Sequence, residues 1–297
     1  MKVGILEERD DSFARDVASS ISDLDVHFIR LGELPVPGKS DFKVILDRQS
    51  FNRPFLREAM KAFSLNGTYV INNPFTSQLF NKNVDMNICQ SLGIPHPKTI
   101  ILPMMEEVED HSVTEPDIDS ILRQIDLPCV LKPYDGYAWE NVYVVTTKSE
   151  FRNLYDSLKF RRVMLAQQYI ERKHYYRVFC VNKEKMLFSE HVPKPLCQGA
   201  YLESDLKPLE GIIDRLREWS IKLNTELDLD LNALEWCIDT DGNPFLIDAF
   251  NEVPEVLKHN MPESQYSWLV SKVSECIREK AGKEEINRNP FNTSGRT

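Results

Sequence analysis

Hydrophobic positions change their spacing along the chain, and the changes mark its parts. Over residues 1 to about 75 the short apolar runs KVGIL, VHFIR, KVILD and TYVIN alternate with amphipathic stretches, Asp11 to Ile21 and Arg53 to Phe63. Short apolar runs bounded by polar residues read as strands, and a 3.6-residue apolar period reads as helix. Strands separated by helices predict a parallel α/β layer. Ser12 and Asp10 are the candidate caps of the first helix. A helix is expected from about Thr76 to Ser91, stopped by Gly93, with Pro95 and Pro97 holding the next segment extended. An acidic loop spans residues 103 to 118, and Asp117 or Asp119 caps a helix running to about Asp126.

The pattern then becomes rich in strands. PCVLK and NVYVV flank the loop Asp135 to Glu140, and a helix follows over Lys148 to Leu158. MLAQQYIE, YYRVFCV and KMLFSEHV read as three further strands, and the run Pro208 to Leu227 as an amphipathic helix. A last helix, Glu263 to Lys280, precedes a tail, KEEINRNPFNTSGRT, expected to be disordered because little in it could pack.

Between those last two helices lies LNALEWCIDTDGNPFLIDAFNEVPE, residues 231 to 255. Leu231 to Ile238 and Pro244 to Phe250 read as strands around a turn holding Asp241-Gly242, a strong hairpin signal. Glu235 and Asp248 sit inside its apolar strands, and Asn251 follows where the second strand ends. Ionised carboxylates are seldom buried unless paired or bound to metal. Two carboxylates and an amide oxygen converging from neighbouring strands would suit magnesium that also holds phosphate oxygens. The alternative is a hairpin whose acids meet solvent or a nearby Lys or Arg. On this stretch alone the two readings stand level.

Other polar residues carry similar choices. Lys132 closes an apolar strand before a loop and a return strand, a way to present an ammonium to a phosphate, or else a strand-end lysine that snorkels. Lys82, in mid-helix, is by default solvated. Asp47-Arg48 end a strand at the carboxyl edge where open α/β sheets bind ligands, although a surface ion pair accounts for them in isolation. Backbone groups at the link Gln168-Tyr169-Ile170-Glu171 could read an adenine edge, with an acid nearby for ribose. No GxGxxG follows the first strand, so nothing supports a dinucleotide-binding domain.

The chain has 297 residues and a formal net charge of −10. That charge argues against nucleic acid or anionic membrane as a partner. No apolar run reaches the roughly 18 residues of a membrane span. MKVGILEERDD reads as a strand followed by acids rather than a signal peptide. Six cysteines are scattered singly, without zinc-ligand spacing, and reduced thiols in a cytoplasmic protein are the expectation.

Taken in order, these pieces resemble the ATP-grasp superfamily and, within it, the glutathione synthetase and RimK-like carboxylate–amine ligases. The pieces that carry the resemblance are the helix lysine before GIPHPKT, the lysine in VLKPYDG, the link QQYIE, the arginine in YYRVFCV, and the set Glu235, Asp248, Asn251. DRQSFNRPF, VINNPF, YDGYAWENVY and LIDAFN are similar to stretches of a group of bacterial ATP-grasp proteins. The resemblance implies an α/β (α+β) ATP-grasp fold with an N-terminal parallel α/β domain. Residues 1–76 would form that substrate domain and 77–282 the ATP-grasp domain, with a lid subdomain at about 115–168, a C-terminal subdomain at about 169–282, and 283–297 as the tail.

By the same resemblance Lys82 and Lys132 would contact the phosphates of ATP. Gln168, Tyr169 and Ile170 would border adenine, and Glu171 the ribose. Glu235, Asp248 and Asn251 would hold one or two Mg²⁺ ions, with Mn²⁺ as an alternative, and Arg177 would face the substrate. Small molecules or peptides are the implied substrates, and dimers and tetramers are common among such relatives. The sequence departs from the pattern at three points. Its lid loop, Asp135 to Asn141, has only Gly136 beside Tyr137 and Trp139. The spacing Asp-x-x-Asn requires a local bulge or turn. No Arg-Gly-Gly segment follows YYRVFCV, where Lys194 and Gln198 stand instead.

The implied reaction is a two-step ligation. A carboxylate takes the γ-phosphoryl group of ATP, and an amine then displaces phosphate from the acyl-phosphate. Two rivals are a small-molecule kinase on the same fold, with Arg48, Arg53, Lys194 and Lys207 as its candidate phosphate ligands, and a nucleotide-binding protein without turnover.

Overall fold

A computed structural model of the chain describes residues 1–8, 10–77, 81–106, 113–136, 140–194 and 199–284. The lid-loop residues Tyr137 and Trp139, Gln198, and most of the predicted tail therefore lie outside the described residues.

The first layer is built as the pattern predicts. Strands β1 (Lys2–Leu6), β2 (Asp25–Phe28), β3 (Val44–Asp47) and β4 (Tyr69–Ile71) form a parallel sheet in the order β2-β1-β3-β4. Helix α1 (Ser12–Ser20) joins β1 to β2, and α2 (Pro54–Leu65) joins β3 to β4. Neither Ser12 nor Asp10 caps α1. Asp11 does, its Oδ1 accepting from the Ala14 amide at 3.0 Å. Arg48 is also not part of a surface ion pair with Asp47. It is 6% exposed and donates from Nε to Asp11 at 2.5 Å, while Asp47 accepts the amides of Gln49 and Ser50 and shapes the turn after β3.

Helix α3 (Lys82–Leu92) begins later than its apolar period suggests. The Asn81 side chain accepts the amides of Asn83 and Val84, which fixes the helix start and moves Lys82 from mid-helix to the first helical position. Gly93 ends the helix with φ 68°, the left-handed conformation that glycine adopts without a Cβ penalty.

Strands β5 (Thr99–Leu102), β6 (Cys129–Pro133), β7 (Tyr143–Val145) and β8 (Met164–Gln168) make an antiparallel sheet in the order β5-β8-β6-β7. Helices α4 (Ile118–Ile125), capped by Asp117, and α5 (Lys148–Leu158) cover it, with Ile121, Ile125, Phe151 and Tyr155 in its core. The chain then crosses residues 169–171 into a second antiparallel sheet. Its strands are β9 (Arg172–Val181), β10 (Lys185–Val192), β11 (Ala200–Leu202), β12 (Leu231–Asp239) and β13 (Pro244–Asp248), ordered β11-β10-β9-β12-β13. Helix α6 (Ile213–Glu226) packs on one face, with Leu216 and Leu223 beside Trp236 and Leu246.

Helix α7 (Glu263–Gly282) returns to the beginning of the molecule and packs on α1. One apolar cluster joins Val3, Ile5, Phe13 and Val17 to Phe179, Ala233, Leu269 and Ile277, so the first sheet, the five-stranded sheet and α7 share a core. Asn72 fastens the same junction. Its amide oxygen accepts from the amides of Asp230 and Leu231, and its amide nitrogen donates to the carbonyls of Leu231 and Glu252. Among the described residues five cysteines are free and buried, and burial pushes the thiols of Cys89 and Cys180 up to about 12. Among the described residues no helix is long and apolar enough to cross a membrane.

Candidate active site

Regular antiparallel pairing of β12 with β13 places Trp236 opposite Leu246, Cys237 opposite Phe245 and Ile238 opposite Pro244. Continued without interruption, it would set Glu235 against Ile247. The register shifts between Trp236 and Glu235, so Glu235 faces Asp248 instead. This bulge, one step earlier than the spacing to Asn251 suggests, makes the two carboxylates neighbours. On its other side Glu235 pairs with Arg177 of β9, which faces Ser189 of β10. Residues directly opposite in a ladder share a face, so Asp248, Glu235 and Arg177 form one row.

Lys82, held by the α3 cap, reaches this row, and its ammonium hydrogen-bonds to Asp248. Its amide donates to the Tyr134 carbonyl at 2.9 Å, tying the helix start to the end of β6 and so to Lys132. Burial alone would lower the Lys82 pKa, but Asp248, Asp85 and Glu235 together hold it above the ordinary lysine value. Lys132 is 5% exposed, and burial, with Lys82 beside it, pushes its ammonium down to about 8. Asp248 is held below the usual carboxylate range: burial pushes it up, and Lys82 and Lys132 more than offset that.

Tyr175 donates its hydroxyl to Glu235, and Arg177 Nη1 lies 3.9 Å from the same carboxylate. Arg177 also donates to the Tyr201 hydroxyl at 3.0 Å. With its amide oriented to satisfy both ends, Asn251 accepts from Arg177 and donates to the Val253 carbonyl at 3.3 Å. Its backbone extends the ladder past Asp248, since its carbonyl accepts from the Ala233 amide at 3.0 Å.

Asp85 also belongs to this constellation, as a residue that the sequence pattern did not single out. It sits one turn along α3 from Lys82, is 1% exposed, and has an Oδ1 without a partner among the described residues. Burial and then the charge of Asp248 raise its pKa well above the ordinary value. The available signal was the spacing Lys82-x-x-Asp85, which puts both on one helix face.

The link residues stand apart from this row. The Gln168 amide donates to the Lys98 carbonyl at 2.8 Å, and its side chain accepts from the Lys98 amide at 3.3 Å. Tyr169 and Glu171 are exposed on the connection between the two antiparallel sheets, and Ile170 is half-buried. Lys194, Arg53 and Lys207 are exposed, and Arg48 is committed to Asp11 and the Pro254 carbonyl.

The residues present can be tested against a divalent cation. Glu235, Asp248 and Asn251 are hard oxygen donors, and Lys82 and Arg177 now lie against them. Among the described residues no group of three or more His, Cys, Asp or Glu closes a metal site. Two adjacent carboxylates and an amide oxygen fit magnesium, which binds one or two carboxylates and completes its shell with water and substrate phosphates.

The architecture has counterparts of known structure. It is similar to an ATP-grasp RimK domain protein from Sphaerobacter thermophilus, with 17% identity, a TM-score of 0.66, and coverage of 94% of this chain and 99% of that one. It is also similar to the D-alanine–D-alanine ligase of Bacillus anthracis complexed with ATP, at 15% identity, TM-score 0.68 and coverage of 95% and 97%. A third likeness, at 13% identity, TM-score 0.65 and coverage of 95% and 98%, is to the ATP-grasp ligase PsnB complexed with minimal precursor, Mg and ADP. No protein-family model matches the chain, and no curated protein matches its sequence. At these identities the likeness is one of fold. The chain has the ATP-grasp fold, α/β with an N-terminal parallel layer.

Proposed function

We propose that the protein is an ATP- and Mg²⁺-dependent ligase that activates a carboxylate as an acyl-phosphate and joins it to an amine, on an amino acid or a peptide. One observation carries the reading: the bulge that sets Glu235 beside Asp248, in a row with Arg177 and under Lys82, within an ATP-grasp fold.

In this reading Lys82 and Lys132 take the phosphates of ATP. The low pKa of Lys132 marks an ammonium that gains from an anion arriving beside it. Glu235, Asp248 and Asn251 would hold Mg²⁺, which would supply neutralisation of phosphate charge. Lys82, now on Asp248, would then take a phosphate oxygen. The link Gln168 to Glu171, between the two antiparallel sheets, borders adenine and ribose. Residues 1–76 supply the substrate side and residues 77–282 the ATP-grasp unit. Arg177 faces the acyl group, where its fixed charge favours the transition state over the ground state. Positioning and charge neutralisation carry the rate, as in phosphoryl transfer generally.

The engagement of Arg48 with Asp11 speaks against a kinase site built on that arginine. The test is Mg²⁺-dependent release of ADP and phosphate over a panel of amino acids, short peptides and small acids, comparing wild type with Asp248→Ala. Stimulation of both products by one acid-plus-amine pair, lost in the variant, is the expected outcome. ADP without phosphate in the presence of a polyol phosphate would establish a kinase, and ATP binding without any turnover a binding protein.

A further inference from the structure

Besides Oδ1 of Asp85, two buried donor-capable nitrogens near the row have no partner among the described residues, Nε of Arg177 and Nδ1 of His191. Such orphans are uncommon, and each asks for an explanation. Nothing in the reading above uses His191. It lies on β10 directly opposite Tyr201 of β11, two residues from Ser189, and therefore on the same sheet face as Arg177.

The imidazole is held on three sides. It stacks on Tyr201 with centroids 4.7 Å apart and planes 19° from parallel. The Tyr175 ring lies 6.1 Å away. On the third side a Cβ at residue 199 would stand 2.7 Å from Nε2 of His191 and 3.0 Å from the Val192 carbonyl oxygen, so only glycine leaves the ring its place. Both rings that flank it also serve the row, Tyr175 through Glu235 and Tyr201 through Arg177. His191 is 8% exposed.

The charges that act on the ring are cationic and come from β9. Burial, then Arg177, then Arg172 push its pKa down to about 4. It is therefore neutral at neutral pH and carries one N–H. A neutral donor beside a fixed guanidinium can stabilise a developing oxyanion without adding a third full cation.

We propose that His191 is a catalytic residue of the second half-reaction, its Nδ1–H and the Arg177 Nε–H binding the carbonyl oxygen of the acyl-phosphate as the amine adds. This rests on the ligase reading. The amine lone pair forms the C–N bond while the C=O π pair moves onto oxygen, between the two donors. Collapse restores C=O and breaks the bond to phosphate, and the proton lost by the amine nitrogen leaves as hydrogen phosphate.

The test uses the full-length chain labelled with ¹⁵N, with His191→Asn to assign the ring signals and acetyl phosphate as a generic acyl-phosphate. The expected result is a neutral His191 ring protonated at Nδ1, whose signals move when acetyl phosphate is added to protein saturated with ADP and Mg²⁺. An Nδ1 without a proton overturns the proposal, as does a ring that ignores acetyl phosphate while ADP binding registers elsewhere. Failure of ADP to bind at all would remove the ligase reading and this proposal with it. With whatever acid and amine the panel identifies, His191→Phe is expected to lower kcat by about 10²–10³ and leave KM for ATP within about twofold, the range for loss of one oxyanion donor. His191→Asn, which places an amide N–H near Nδ1, is expected to recover at least about a tenth of the activity with an unchanged pH profile. Wild-type kcat in His191→Phe, or an acid limb altered in His191→Asn, would count against it.

Discussion

Single residues in the site were legible in proportion to how badly they suit their surroundings. Glu235 and Asp248 stand out because an acid inside an apolar strand has no solvent to meet. Asp85 and His191 do not, because an acid on an amphipathic helix and a histidine on a mixed strand look ordinary until packing buries them. Lys132 shows what burial does to a charge. Its folded pKa of about 8 lies below the ordinary 10.5, so between those values the unfolded chain binds more protons and stability rises with pH. The gain across that window is about 3 kcal/mol at most. Buried thiols such as Cys89, whose pKa is raised, act in the opposite sense as pH passes their unfolded value. The expected signature is therefore a difference: urea unfolding from pH 7.5 to 10.5 should show a gain in wild type, relative to Lys132→Met, that grows through the window. Parallel curves would mean that Lys132 is not strained by burial.

At the scale of elements, hydrophobic period located most strands and helices to within a few residues. It missed where hydrogen bonds rather than period set the boundary. Asn81 starts α3 and thereby aims Lys82, while the bulge in β13 decides which side chain Glu235 meets. Both are backbone events that no apolar pattern encodes. The cap of α1 is another. Asp11 satisfies the Ala14 amide with one oxygen and the buried Arg48 with the other. Loss of a cap costs about 1 kcal/mol, and an uncompensated buried charge about 3–5 kcal/mol. Asp11→Ala should therefore cost about 4–6 kcal/mol in urea unfolding. Asp11→Asn, which keeps the cap acceptor, should cost about 1 kcal/mol less. Equal losses would show that the cap contributes nothing beside the ion pair.

For the whole molecule, the order of elements was enough to suggest a parallel α/β layer followed by a strand-rich part, but not the division into three sheets or which strands would be neighbours. The break at residues 169–171 sends MLAQQ into one sheet and YYRVFCV into another, and two strands so close in sequence could as easily have formed a hairpin. Nor does the pattern say that α7 covers the first-made sheet. Mg²⁺-ADP at a hundred times its Kd should stabilise the protein by about 2.7 kcal/mol by mass action. Asp248→Asn should lose most of that shift in melting temperature while keeping a cooperative transition. An unchanged shift would remove Asp248 from the nucleotide site.

The shared core of β1, α1 and α7 also bears on how the chain is made. A sheet assembled from the first seventy or so residues exposes Val3, Ile5, Phe13 and Val17 until Leu269 and Ile277 arrive to cover them. At about 5–20 residues per second of synthesis, that interval lasts roughly ten seconds to most of a minute. During it the ribosome carries an uncovered apolar face, and the last helix to emerge completes the first layer begun.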